Sequence, residues 1–381
     1  MAKLLDALGA DEGLTRYVGG AVRDDLLGLP VSDVDLATQL RPDQVVERLQ
    51  AAGIKAVPTG FDHGTVTAVS DGHPYEVTTL RRDVETFGRH ATVAFTDDWK
   101  EDAARRDFTI NALMADAATG EVFDYFHGLD DLEERHVRFI GDAFERIAED
   151  HLRILRFFRF HARFGRGEPD EVALAACTAR ANDLMALSRE RIADELLKLL
   201  SVENPLATVR VMLQRNILKP VIPEIEADAS RSLQALIEAE ASADIEPDPL
   251  RRLTALLPRD PKIGGAVAVR LKLSNRARKR IACAADPEIS EPRASAYREG
   301  SECAVDRLLL AGRPSDAKAA AAWTPPRLPI SGGALIARGL VEGPIVSRTL
   351  RQIEDRWIER GFPTGAEFEA IVEEALAPNL R

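Results

Sequence analysis

The stretch GGAVRDDLLGLPVSDVDLAT, residues 19–38, decides how the rest of the chain is read. It opens on Gly19 and Gly20, runs through Arg23, and ends on two aspartates, Asp33 and Asp35, with one residue between them. Residues two apart on a strand point to the same side. A strand over 33–38 therefore presents both carboxylates together. Paired hard oxygen groups suit divalent cations such as Mg²⁺, which shares its shell between carboxylates, waters and substrate phosphates. Two ions in such a site activate an attacking hydroxyl and stabilise a leaving pyrophosphate. Glycines let the backbone approach a phosphate, and N–H groups at a helix start attract it. Together these features read as a site that transfers a nucleotide from a triphosphate.

The bulk properties are compatible with that reading. The chain has 381 residues, 45% hydrophobic and 29% charged, enough for two or three domains. No apolar run approaches the roughly 20 residues needed to span a bilayer. The N-terminal segment lacks the basic and apolar regions of a signal peptide. Cys177, Cys283 and Cys303 are scattered; an odd, dispersed set suggests a reducing compartment, taken as cytoplasmic, and no zinc site. A net charge of −12 argues against non-specific nucleic-acid binding, so any RNA contact must come from a local basic stripe.

Residues 1–140 alternate short β-like runs with helices. Strands are expected at 16–18, 33–38, 65–69, 75–80 and 121–125, and helices at 20–27 and 42–52, with Pro42 in a first turn. Beyond about Phe139 helical periodicity takes over, with Ser188 as an N-cap. Proline-bearing breaks at 244–249, 257–263, 286–292 and 311–329 cut the C-terminal half into short helical pieces.

Further residues fit the same chemistry. Glu76, in PYEVTTLRRD, is the candidate third carboxylate on a neighbouring strand. In RRDFTINAL, residues 105–113, Arg106 and Asn111 are placed to reach phosphate or ribose oxygens, while Phe108, Ile110 and Leu113 face the core. In EDHLRILRFFRF, residues 149–160, a helix would put Asp150 and Arg153 on one face, with Arg156 and Arg159 continuing the stripe. Asp only accepts and Arg only donates. Such a pair matches the amine-beside-ring-nitrogen edge of cytosine and adenine and opposes the reversed edge of uracil and guanine. For RNA, the run RLKLSNRARKR, residues 270–280, carries Arg270, Lys272, Arg276, Arg278, Lys279 and Arg280 and no acid. Arg327 and Arg338 are weaker candidates.

The motifs GGAVRD, DVD, GFDHGTVTAV, YEVTTLRRD, RRDFTINAL, FHGLDDL, EDHLRILRFFRF and SRERIADELLKLL occur in this order. In that order the chain resembles the class II CCA-adding enzymes, tRNA nucleotidyltransferases related to bacterial poly(A) polymerases. The resemblance is dense over residues 14–200 and weaker in ISGGALIARGLVEGP, from Ile330. It implies an α+β fold: a polymerase-β-like nucleotidyltransferase head with a mixed sheet and helices, then an all-α neck, body and tail. The corresponding domains are residues 1–140 (head), 141–200 (neck, with the base-reading motif), 201–300 (body) and 301–381 (tail, tRNA contact). By the same resemblance Asp33 and Asp35 bind the metals, Gly19 and Gly20 grip phosphate, and Glu149, Asp150 and Arg153 read the base. Arg156 and Arg159 would lie near the nucleotide. Residues 83–97, with Gly88, Arg89, His90 and Phe95, correspond to a mobile loop linked to the change from C to A addition. His127 stands where the family often has a small residue, and has no assigned role.

The implied activity is addition of CCA to the tRNA 3′ end from CTP and ATP with two Mg²⁺ ions, without a membrane or an obligate protein partner. The alternatives are a poly(A) polymerase, an enzyme adding only CC or only A, and a catalytically dead RNA-binding module. All seven histidines lie at or before His161, which leaves the helical half without a histidine-based phosphohydrolase site.

Overall fold

The computed structural model describes residues 1–31, 33–87, 90–226 and 228–379. The chain divides into two compact units, Met1–Pro223 and Glu224–Arg381.

The first unit begins with α1 (Ala2–Ala7), β1 (Thr15–Val18), α2 (Gly20–Leu26), β2 (Asp35–Thr38) and α3 (Pro42–Ala51). Then come β3 (Lys55–Gly60), β4 (Thr65–Ser70), β5 (His73–Thr79), and a separate ribbon of β6 (Arg81–Phe87) and β7 (His90–Phe95). After α4 (Trp99–Ala104) the chain adds β8 (Met114–Asp116) and β9 (Val122–Phe123). Seven strands form one mixed sheet in the order β3-β4-β5-β2-β1-β8-β9. Within it β2 and β5 are parallel, and the other neighbours are antiparallel. Parallel pairing needs a long crossover, and α3, β3 and β4 fill it.

The five strands expected from the sequence are present, with ends displaced by at most two residues. One displacement matters: β2 starts at Asp35, so Asp33 lies just ahead of the strand. Four strands were missed. Strand β3 reads KAVPTG, a poor strand by composition; it lies at the sheet edge, where a proline's missing donor is tolerated. Strands β6 and β7 fall in the segment read as a loop, of which Gly88 and Arg89 lie outside the described residues. Strand β8 is only three residues long, too short for a periodicity signal.

One face of the sheet packs on α1 and α3 through Leu4, Leu8, Leu36, Leu49, Val66 and Val77. The other buries Val18, Ala37, Leu80, Met114, Trp99 and Ala103, the last two from α4. Helices α5 (Gly128–Glu133), α6 (Ala143–Glu149), α7 (Arg153–Phe164), α8 (Glu171–Ala179), α9 (Arg189–Leu200) and α10 (Leu206–Gln214) complete the unit. Asp98, Asp142 and Asp170 cap α4, α6 and α8, accepting backbone N–H bonds of 2.7, 3.0 and 2.7 Å. Ser188 occupies the N-cap of α9 but makes no side-chain capping bond, contrary to expectation. Phe108 is clamped by Phe139 (4.9 Å between ring centres) and by Phe160 of α7 (5.2 Å). With Ile110 and Leu113, it is buried as predicted.

His127 precedes α5 in the left-handed region, with φ 61°. That conformation favours glycine, which accounts for small residues at this place in the family. Its neighbour Gly128 has no alternative: a Cβ there would sit 2.4 Å from the Thr109 carbonyl oxygen.

The second unit is helical among its described residues: α11 (Ala229–Ala243), α12 (Pro249–Ala255), α13 (Pro261–Arg270), α14 (Asn275–Ala284), α15 (Pro292–Glu299), α16 (Ser301–Leu310), α17 (Pro314–Ala322), α18 (Gly332–Ala337), α19 (Pro344–Glu359) and α20 (Ala366–Leu376). The proline breaks are largely helix starts: α12, α13, α15, α17 and α19 each have proline in the first turn, where no N–H is lost. Cys283 and Cys303 form a disulfide joining α14 to α16, which runs against the reducing compartment expected from the scattered cysteines. Cys177 is free and buried. Among the described residues no helix is long and apolar enough to cross a membrane.

Candidate active site

Strand alternation builds the carboxylate cluster. In the parallel pair β2–β5, Asp35 is the register partner of Glu76, and Leu36 that of Val77. Leu36 and Val77 are fully buried, so the pleat turns Asp35 and Glu76 away from that core. Adjacent strands lie about 4.8 Å apart, which brings the two acids side by side. Their environment raises the Asp35 pKa: burial acts first, then the charge of Glu76, with Asp33 adding and Arg106 opposing. The three carboxylates thus share one electrostatic neighbourhood. Hard oxygen donors whose mutual repulsion a cation relieves fit divalent metal binding.

The phosphate side adjoins them. Gly19 has φ +68°, a left-handed conformation that favours glycine, and a Cβ there would lie 3.0 Å from Nη1 of Arg106, which would have to give way slightly. Arg23, from α2, is buried. It donates to Asp24 at 2.9 and 2.7 Å and to Asn111 Oδ1, and its guanidinium lies 4.1 Å from the Phe164 ring centre. Desolvation lowers its pKa, with the Asp24 bonds opposing. Asn111 Nδ2 donates to Asp107 at 3.0 Å, and Arg156 Nε donates to the same carboxylate at 2.7 Å. Arg106 is fixed by Asp102 at 3.1 Å. Asn111 is therefore the middle of a buried network rather than a free arm.

Gly19, Arg23, Arg106, Asp107, Asn111 and Arg156 line a cavity of about 470 Å³ that Asp35, Asp150, Arg153 and Arg191 also face. Arg159 is not among its walls; it bonds Glu195 at 2.6 Å. The expected continuous helix through Asp150 and Arg153 is absent. Helix α6 ends at Glu149, Asp150 is extended (φ −150°, ψ 106°), and α7 begins at Arg153. The Asp150 and Arg153 side chains are not paired with each other, though the Arg153 N–H donates to the Asp150 carbonyl at 3.0 Å. Asp150 accepts from Arg191 Nη2 at 2.6 Å and from the Leu152 N–H at 3.1 Å. Arg153 donates to the Arg146 carbonyl at 2.8 Å and to Glu149. Both side chains still face the same cavity.

The sequence reading missed Asp107 and Arg191 as site residues. Asp107 lies inside RRDFTINAL without an assigned role, and a 3₁₀ turn, Thr109–Asn111, follows it. The available signal was an acid wedged between arginines and an apolar run. Arg191 lies three residues beyond the N-cap Ser188, and no local pattern marks it.

The basic run 270–280 is corrected in part. Arg270 is held by Glu224 through two 2.6 Å bonds. Arg280 is nearly buried, bonded to Asp306 at 2.6 and 3.0 Å and paired with Asp248 at 2.9 Å. Arg276 pairs with Glu302 at 3.2 Å at the surface. Lys272, Arg278 and Lys279 are exposed, and among the described residues Arg278 and Lys279 make no ion pair. The stripe is a short exposed patch flanked by structural arginines. Arg338 is likewise matched, by Glu369 at 2.7 Å.

A mixed sheet with adjacent strand carboxylates, a glycine turn and an arginine-lined cavity defines a nucleotidyltransferase head. Residues 15–138 match the family model described as poly(A) polymerase head domain, and residues 168–229 the probable RNA and SrmB-binding site of polymerase A. Mouse mitochondrial CCA tRNA nucleotidyltransferase 1 is 35% identical over 369 residues, covering 91% of this chain and 83% of its own. On that likeness the chain belongs to the CCA tRNA nucleotidyltransferase family. The fold is shared with the Bacillus stearothermophilus CCA-adding enzyme solved with CTP (TM-score 0.71, 23% identity, 99% of this chain and 98% of the other). It is shared too with the Thermotoga maritima enzyme complexed with tRNA_CCA (TM-score 0.72, 24% identity, 99% and 94%).

Proposed function

We propose that this nucleotidyltransferase adds CCA to the 3′ end of tRNA from CTP and ATP, releasing pyrophosphate at each step. The observation that carries the reading is the register pair Asp35–Glu76 beside a cavity that also holds Asp150 and Arg153. Asp33, Asp35 and Glu76 would hold two Mg²⁺ ions, which supply hydroxyl activation and charge neutralisation on the leaving pyrophosphate. Gly19, Gly20, Arg23 and Arg106 line the phosphate end. Gly19 and Gly20 permit close backbone approach, and Arg106 offers charge-assisted bonds to the triphosphate. Asn111 and Asp107 hold Arg23 and Arg156 in place. Asp150 accepts the exocyclic amine of cytosine or adenine, and Arg153 donates to the adjacent ring nitrogen. Uracil and guanine would set a carbonyl against the Asp150 carboxylate and a ring N–H against the Arg153 guanidinium, leaving both contacts unmade.

The head, neck, body and tail divisions at 140, 200 and 300 follow from the same reading, with the exposed Lys272, Arg278 and Lys279 contacting the acceptor stem. A cytoplasmic location belongs to the reading as well. The Cys283–Cys303 pairing removes its cysteine argument, and the mouse relative is mitochondrial. Poly(A), CC-only and A-only addition are the alternatives that the same site would serve.

The test uses tRNA lacking CCA, ending in C, or ending in CC, with each triphosphate supplied separately and products resolved to one nucleotide. The expected result is C, C, then A, with nothing from UTP or GTP. Asp35→Ala should lower turnover by about 10³-fold or more, since metal-borne charge stabilisation is worth several kcal/mol, while tRNA binding persists. Retained turnover in that variant refutes the carboxylate assignment.

A further inference from the structure

We infer that Arg191 is the positioning residue that orients the Asp150 carboxylate and thereby sets base selectivity. The inference rests on the proposed base-reading role of Asp150 and extends it to a residue on another helix. Asp150 sits at the break between α6 and α7 with extended backbone, so no helix repeat fixes its direction. Two bonds do so instead: the local N–H of Leu152 at 3.1 Å and Nη2 of Arg191 at 2.6 Å. The local bond restrains one oxygen. The other is aimed by a side chain 41 residues away, early in α9.

That helix is itself anchored. Glu195, four residues on, is buried and accepts from Arg159 of α7 at 2.6 Å, with Arg156 at 3.8 Å. Arg191 also lines the cavity, so its guanidinium reaches the carboxylate from the nucleotide side of α9. The bond is a single one, from Nη2, but a planar guanidinium holds its donors in fixed directions, so it restricts the carboxylate in direction as well as distance. Arg153 does not do this work: its side chain bonds Glu149 and the Arg146 and Arg105 carbonyls, not the Asp150 carboxylate. With Arg191 removed, Asp150 can rotate about its side-chain bonds and accept from bases in other registers. Selectivity therefore depends on α9, although no α9 residue need touch the base.

The experiment measures single-nucleotide incorporation, kcat and KM for all four triphosphates on tRNA lacking CCA, for the wild type and for Arg191→Ala, Arg191→Lys and Asp150→Asn, with melting curves for each. The expected result for Arg191→Ala is a CTP-over-UTP preference in kcat/KM reduced by about 10- to 100-fold, a fraction of what hydrogen-bonded discrimination can supply. Arg191→Lys, which keeps charge but not the fork, is expected to recover part of it. An equal loss with every nucleotide, preference intact, would mean a merely structural role and overturn the inference. So would an unchanged preference. If Arg191→Ala does not fold, Arg191→Lys decides alone: reduced preference in a folded variant supports the inference, and full preference overturns it. Asp150→Asn separates the two levels. Unchanged preference there sinks the base-reading role itself, whereas altered preference there with none at Arg191 sinks only the positioning role.

Discussion

Arginines crowd two regions of this molecule and do different things in each. In the first unit, Arg23, Arg106 and Arg156 are each held by an acid, Asp24, Asp102 and Asp107, yet all three line the open cavity. In the second, Arg251 is shared between Glu240 (2.7 Å) and Asp306 (2.8 Å), and Arg252 lies 2.9 Å from Glu240. Arg307 is tied to Glu299 at 2.5 Å. There the guanidinium groups are consumed by the fold: Arg252 is 1% exposed. A buried ion pair does little for net stability but costs heavily when one partner is removed. The cleft leaves Arg106 and Arg156 partly open to a ligand, whereas Arg252 is closed off entirely.

The largest effects should come from breaking one buried pair in each region. Arg252→Ala leaves Glu240 short of a partner in the second unit and is expected to cost about 3–5 kcal/mol in urea unfolding. Activity per folded molecule should hold below the transition. Asp107→Ala is expected to cost a similar amount and also to raise the KM for CTP and ATP, because Arg156 and Asn111 both bond that carboxylate. If Arg252→Ala raised the nucleotide KM as much, the contrast between the regions would be lost.

Acid pH separates the regions in a milder way. Asp102 and Asp107 are held below the ordinary carboxylate range. Burial alone would raise them, but Arg105 and Arg106 overcome it for Asp102, and Arg156 with Asn111 does so for Asp107. A carboxylate with a depressed folded pKa contributes stability above its unfolded value, near 4, and loses it as pH falls through the lower folded value. The first unit should therefore lose stability below about pH 4, and Asp107→Asn should flatten that dependence. Urea midpoints between neutral and strongly acidic pH provide the check; a profile identical in the variant would remove Asp107 from the account.

How much of this was legible in the sequence follows from the range of the interactions. The carboxylate cluster was readable because strand alternation is local: Asp35 and Glu76 declare their faces through Leu36 and Val77. Phe108, Ile110 and Leu113 were readable from their apolar character alone, since Thr109 and Asn111 between them are buried as well. The Asp150 helix was misread because periodicity through EDHLRILRFF continues unbroken, and only its capture by Arg191, from a distant helix, shows why Asp150 is better placed outside one. Strand β3 was hidden by Pro58, whose cost depends on an edge position that local sequence does not reveal. The basic run 270–280 was overread, since the acids that neutralise Arg270 and Arg280 lie 46 and 26 residues away. Charge composition is a local count, and ion pairing is a property of the fold.

That overreading supplies the finest test of the comparison. If the exposed end of the run contacts phosphate, Arg278→Ala and Lys279→Ala should each weaken tRNA binding a few-fold and make the salt dependence shallower. Each phosphate contact contributes roughly 0.7–0.9 to the slope of log affinity against log salt. Arg280→Ala should behave oppositely. Its guanidinium is engaged by Asp306 and Asp248, so its loss should lower the unfolding midpoint and leave the salt slope at the wild-type value. Binding titrations across a range of salt, paired with melting curves, read both quantities on the same samples. A salt slope that fell equally for Arg280 and Arg278 would return the run to a single stripe. A slope that moved for neither Arg278 nor Lys279 would take the acceptor stem away from α14 and leave its charges as a solvated helix face.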